Sequence, residues 1–281
     1  MERSPATATG PMDDLCADLL AEYDELASLV DGFDATQWAL PTGFFHWTPW
    51  DEIAHLLYFD EAAMAALADP AAFAPSAQDL LARMVAGEQI SGICRRQFGH
   101  LDGAALTARW RPVYRRLVEQ LSGCDPKARL PWYGPSMSAR SFATARLMEC
   151  WAHGQDVWDA VRRRRPVHAR LRHIAHLGVS TYGWSFAVRG AQPPGPAPWV
   201  DLEGPGGQRW TWGAPDAAAA IRGPALDFCR VVTQRRHVDD TRLQVEGEAA
   251  RAWMAVAQCF AGEPATGPAP GVRHIAEADG G

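Results

Sequence analysis

One change of hydrophobic period limits what this chain can fold into. Up to about residue 188 apolar side chains recur three or four apart, the spacing of a helix face. Beyond RGAQPPGPAPW, residues 189–199, they alternate in short runs broken by glycine. Neither a uniform bundle nor a uniform sheet satisfies both patterns. The switch predicts a helical part, a Pro/Gly-rich linker and a small α+β part.

Residues 1–11 read as disordered. Leu15, Leu19, Leu20, Tyr23, Leu26 and Leu29 then mark an amphipathic helix over 12–30. A second helix opens at TPWDEIAHLL, where Thr48 suits the N-cap, Pro49 the first helical position and Asp51 a capping-box acid. His55 falls roughly two turns into it. Further helical patterns cover 76–98 and 106–122, separated by GHLDG, and 138–161, with an extra helix near 167–187 and no strand signal between them. Long helices with modest loops predict a four-helix bundle over 12–188. WVDLEGPGGQRWTWG reads as two short strands, followed by a helix over 224–236, a strand over 242–246 and a helix over 248–260. The expected fold class is mainly α: a four-helix bundle with a small C-terminal α+β domain at 199–263, and a loose tail at 264–281.

Composition narrows the function. The 281 residues carry a net charge of -6 without long charged blocks, which argues against a nucleic-acid partner. No apolar run approaches the roughly 18–20 residues of a membrane span, and MERSPATATGPMDD has none of the regions of a secretion signal. A cytoplasmic protein with no membrane partner is expected. Cys16, Cys94, Cys124, Cys150, Cys229 and Cys259 lie far apart without CxxC spacing, so buried thiols are expected rather than a zinc ribbon or a disulfide framework. Lys127 is the only lysine, a bias of a GC-rich genome.

The stretch LMECWAHGQD carries the chemistry. Glu149 and His153, four apart on a helix, stand one above the other, and Asp156 shares their face. Such a pair is often only a hydrogen bond between neighbours. As metal ligands the two need about one more protein donor, and a catalytic site keeps a position open. His55, inside the second helix among Ile53, Leu56 and Leu57, is the candidate, although a histidine in an apolar helix is often a satisfied core residue. Asp156 is placed to orient His153 through its other ring nitrogen. Asp60 and Glu61 read as solvated acids, His173 and His176 as surface or interdomain residues, and Trp47, Trp50, Trp151 and Trp158 as core or as cavity lining.

WTPWDEIAHL followed by ECWAHGQD resembles the DinB-like metal-binding superfamily, and within it the mycothiol-dependent maleylpyruvate isomerase-like branch. The resemblance implies a DinB-like four-helix bundle with a sterol-carrier-like α+β domain, and a metal triad that maps onto His55, Glu149 and His153. It further implies a divalent ion, zinc foremost, with mycothiol as the thiol cofactor and a small electrophilic substrate that can carry an anionic group. The activity implied is that of an isomerase or S-transferase. One C-terminal arginine, among Arg230, Arg235 and Arg236, would grip the anionic group of the substrate. Two other functions stay open: a thiol-independent metal enzyme acting through bound water or Lewis acidity, and a non-catalytic carrier of an apolar ligand with a structural metal. GFFHWTPW, around His46, is bulkier than that branch leads one to expect, which predicts a reshaped pocket mouth.

Overall fold

A computed structural model describes residues 10–273 and divides the chain into two compact units. The first holds the residues up to Trp38 together with Trp50–Cys150, the second Ala39–Pro49 together with the residues from Trp151 on.

The first unit is built from α1 (Pro11–Val30), the one-turn α2 (Ala35–Trp38), α3 (Pro49–Ala68), α4 (Pro70–Val85), α5 (Ile90–Phe98), α6 (Gly103–Ser122) and the first half of α7 (Ala139–Ala160). The four long helices lie close to their expected bounds, because each begins where the local chemistry starts one. Asp102 caps α6 by accepting from the Ala105 N–H at 2.8 Å. The pattern expected over 76–98 is two helices. Asp69 caps α4 through the N–H groups of Ala71 and Ala72, and Gly87 in the left-handed region (φ 92) turns the chain before α5. The expectation of no strand before the linker also needs correcting: β1 (Arg129–Leu130) and β2 (Met137–Ser138) pair antiparallel around the LPWYGPSM turn.

One carboxylate ties the bundle together. Asp60 on α3 is fully buried and accepts from Tyr23 Oη of α1 at 2.6 Å, Trp110 Nε1 of α6 at 2.8 Å, and Arg146 Nε and an Nη of α7 at 3.0 and 2.7 Å. Asp60 was expected to be solvated; instead it is the polar centre of the core. Its position explains why, since it follows Ile53, Leu56 and Leu57 on the i, i+3, i+4, i+7 face that α3 buries. Tyr23 stacks on Tyr114 at 4.7 Å and meets Trp110 edge-on at 5.6 Å, packing α1 on α6. Glu61, by contrast, stays at the surface and pairs with Arg109 at 2.8 Å.

The second unit contains the rest of α7, then α8 (Leu171–Ser180) and α9 (Tyr182–Ala187), a four-stranded sheet, α10 (Ala225–Val232) and α11 (Glu248–Val256). The strands are β3 (Trp199–Glu203), β4 (Arg209–Trp212), β5 (Ala220–Pro224) and β6 (Gln244–Glu246), in the order β4-β3-β5-β6. β3 runs parallel to β5, and the other two pairings are antiparallel. Val200, Leu202, Trp210 and Ile221 turn inward from the sheet, and Phe228 and Trp253 meet edge-on at 5.7 Å in the same core.

The extra helix expected at 167–187 is broken at Thr181 and belongs with this unit rather than with the bundle. Gly178 of α8 sits so close to α10 that a Cβ there would meet Val232 at 2.9 Å and Phe228 at 3.0 Å, and Ser185 of α9 receives the Gln258 N–H at 3.1 Å. The compact units therefore divide within α7 and not at residues 189–199. The tail expected over 264–281 is also anchored as far as it is described. The Ala265 carbonyl accepts from Gln234 at 2.7 Å, and the Gly271 N–H donates to Asp240 at 2.9 Å. Residues 1–9 and 274–281 lie outside the described residues. No helix among the described residues is long and apolar enough to cross a membrane.

Burial sets a pH limit on this core. It pushes the Cys16 thiol up to about 11 and the Cys94 thiol up to about 12, from an ordinary 9.0. Burial, then the hydrogen bond to Asp24, pushes Tyr114 up to about 12. A folded pKa above the unfolded one favours the neutral form in the fold. Its contribution is full below the unfolded pKa and is lost as pH rises through the folded one. The melting temperature should therefore hold steady from neutral pH to about 9 and fall steeply between about 9 and 12. A scan that stays flat to pH about 12 would contradict this.

Candidate metal centre

In the first unit the structure brings His55 and Glu149 together. His55 Nε2 of α3 stands 3.6 Å from Glu149 Oε2 of α7, with the two side chains 12% and 27% exposed. That separation is too long for a good hydrogen bond. It does suit two ligands of one ion: donors about 2.0–2.2 Å from a tetrahedral zinc lie about 3.4 Å apart.

Both residues stand beside the Asp60 network. Asp60 follows His55 by five residues on α3, and Arg146 precedes Glu149 by one turn on α7. Burial alone would lower the Arg146 pKa. The charge of Asp60, with Tyr23, Glu149 and the hydrogen bonds to Asp60, more than reverses this, so the guanidinium stays charged. The buried Asp60–Arg146 pair thus fixes the register of the two helices that carry His55 and Glu149. Arg146 escaped the sequence reading; its place four residues after Phe142 on a buried helix was the available signal.

α7 continues unbroken past Glu149, so His153 rises from the same face one turn later and Asp156 nearly a turn beyond that. Within the second unit His153 is 4% exposed and lies between two aromatic rings. Phe44 meets it edge-on at 5.2 Å, and Trp47 stacks at 6.0 Å with an interplanar angle of 12°. Both rings come from the GFFHWTPW loop, in which Phe45 (φ 48) and His46 (φ 57) adopt the left-handed conformation in succession. That conformation costs a non-glycine residue about 1–2 kcal/mol.

Asp156 is fully buried, and its carboxylate accepts from two arginines. Arg235 Nε donates at 3.0 Å and its Nη at 2.8 Å, and Arg273 donates to the other oxygen. Arg235 Nε is shared with the Ala152 carbonyl at 3.1 Å. Arg236 grips Asp159 with two nitrogens, at 2.6 and 2.9 Å. Arg230 lies 3.6 Å from Asp227. The three candidate arginines therefore sit against carboxylates of the protein itself, and Arg235 also lies 4.7 Å over the Phe44 ring. Cys150 is fully buried beside Glu149. His176 accepts from Trp212 Nε1 at 3.2 Å, which ties α8 to β4.

Comparison with known proteins agrees with this architecture. The family model of the mycothiol maleylpyruvate isomerase N-terminal domain matches residues 19–158. Two proteins of Mycobacterium tuberculosis, from strains CDC 1551 / Oshkosh and ATCC 25618 / H37Rv and both described as uncharacterized, are 43% identical over 261 residues. The match covers 89% of this chain and 96% of theirs. Among solved structures, the mycothiol-dependent maleylpyruvate isomerase superposes with a TM-score of 0.51 at 16% identity, over 79% of this chain and 88% of that one. A histidine-to-alanine mutant of that isomerase gives 0.54 at 15% identity, over 86% and 96%. At such identities the solved structures speak to the fold. With the family match and the two linked motifs, the chain belongs to the mycothiol-dependent maleylpyruvate isomerase-like branch of the DinB-like superfamily.

Proposed function

We propose that this protein is a metal-dependent enzyme that uses a low-molecular-weight thiol, mycothiol in the first instance, to isomerise a small electrophile or transfer the thiol to it. The observation that carries the proposal is the 3.6 Å approach of His55 to Glu149, with His153 one turn further along the same helix face. Two imidazoles and one carboxylate suit a divalent ion such as zinc, leave it a net positive charge and keep a coordination position open. A divalent ion bound there supplies Lewis acidity that lowers the pKa of a thiol at the open position.

The chain's own residues do the rest. His55, Glu149 and His153 hold the ion, and the Asp60–Arg146 pair keeps the two helices in register. Addition of the thiol sulfur to an activated double bond, rotation and expulsion of the same thiol leaves an isomer and no net consumption of thiol. Displacement of a leaving group instead gives the S-conjugate. One of Arg230, Arg235 and Arg236 is the candidate to grip an anionic group of the substrate.

The test is titration of zinc-loaded protein with mycothiol at neutral pH in weak buffer. The expected outcome is saturable release of about one proton per site, absent from the metal-free protein. Binding of zinc without any thiol-linked proton release would sink the thiol chemistry and favour a metal enzyme that acts through water.

A further inference from the structure

We infer that Phe44 and Trp47 are positioning residues for His153, and that the strained loop carrying them serves to lock the imidazole in its ligating orientation. The inference rests on the metal reading above. An imidazole on a helix can swing about two side-chain bonds, and a ring free to do so presents its nitrogen to an ion only part of the time. Here Phe44 blocks one side edge-on and Trp47 covers a face.

The backbone between them shows what the loop is shaped to do. Phe44 and Trp47 are three residues apart, so both reach one imidazole only if the chain doubles back, and Phe45 and His46 supply the reversal in the left-handed region. Strain of this kind persists where the surroundings over-determine it. The Thr42 N–H donates to the Trp47 carbonyl at 2.6 Å, the Trp47 N–H to the Phe44 carbonyl at 2.9 Å, and the Phe44 N–H to Thr42 Oγ1 at 3.2 Å. The Phe45 side chain is 77% exposed, so the turn does not exist to bury it.

The loop is also held from behind. Arg235 lies over the Phe44 ring, and Asp156 and the Thr233 carbonyl fix that guanidinium. Arg273 reaches Asp156 across Gly43, where a Cβ would come within 2.7 Å of the Arg273 Nε. Asp156 thus also bears on His153 through Arg235 and Phe44.

Zinc release into excess chelator, followed in the wild type and in Phe44→Leu, Trp47→Leu, Phe44→Tyr and Phe45→Leu, tests this. Near-UV circular dichroism of the metal-free forms checks that each variant is folded. Phe44→Leu and Trp47→Leu should release zinc about 10–100-fold faster, as loss of a ligand's supporting contacts does. Phe44→Tyr should restore the slow rate, and Phe45→Leu, which removes a ring packed edge-on on Phe44 at 4.7 Å, should speed release less than Phe44→Leu does. Wild-type release rates in folded Phe44→Leu and Trp47→Leu would overturn the inference and leave the metal reading standing. A wild type that takes up no zinc would overturn the metal reading itself.

Discussion

Asp60→Asn should destabilise the protein by about 3–5 kcal/mol, the usual cost of removing one member of a buried ion pair. The substitution keeps the shape of the side chain but strips the counter-charge from Arg146, which is 4% exposed and cannot reach water. It also weakens the acceptor shared by Tyr23 and Trp110, so the loss reaches all four long helices at once. Urea unfolding measures it as a lower midpoint at an unchanged slope. The double variant Asp60→Leu/Arg146→Met should recover only part of the loss, because it removes the unpaired charge but leaves the buried Tyr23 hydroxyl and Trp110 N–H without an acceptor. A single variant as stable as the wild type would mean that the pair contributes nothing to holding α3 against α7.

Loss of Glu149 or of either histidine should have the larger functional effect. On the proposed metal reading, Glu149→Ala, His55→Ala and His153→Ala each leave two of three side-chain ligands. Metal affinity should fall by more than the roughly 10–100-fold that follows loss of an outer supporting group. Turnover of any substrate should fall with it. Elemental analysis after dialysis reads the first effect directly: stoichiometric metal in the wild type and little in each variant. His153→Ala that keeps both metal and activity would remove His153 from the centre. The fold should survive in all three, because Asp60 keeps its hydrogen bonds from Tyr23, Trp110 and Arg146.

Much of this was legible in the sequence, and the exceptions have physical causes. α1, α3, α6 and α7 declare themselves by period and by caps such as Asp102. β5 does not. DAAAAIRGP is rich in a strong helix former, and only its place between β3 and β6 makes residues 220–224 a strand, so tertiary pairing overrides local preference. The Pro/Gly stretch at 189–199 looked like a boundary because composition marks loops. Which helices pack together is decided by close approaches such as Gly178 on Val232, which composition does not show.

The site divides in the same way. The spacing of Glu149 and His153 is a one-helix property and could be read directly. Their supports come from far along the chain: Arg146 meets Asp60, 86 residues away, and Asp156 meets Arg235, 79 residues away. No local pattern records such partners. Asp60 is the instructive exception, since its heptad position placed it in the core while its charge argued for the surface.

The cysteines have a consequence under the proposed function, in which the protein handles electrophiles. None of the six, all within the described residues, forms a disulfide, and five of them are buried. Burial drives Cys16 to about 11 and Cys94 to about 12, and Cys229 well above its ordinary value. A thiol becomes a target for alkylation only as its anion. Sheltered and protonated, Cys16, Cys94 and Cys229 would offer a reactive substrate almost nothing to attack, which would spare those positions alkylation by the compounds the proposed reaction handles.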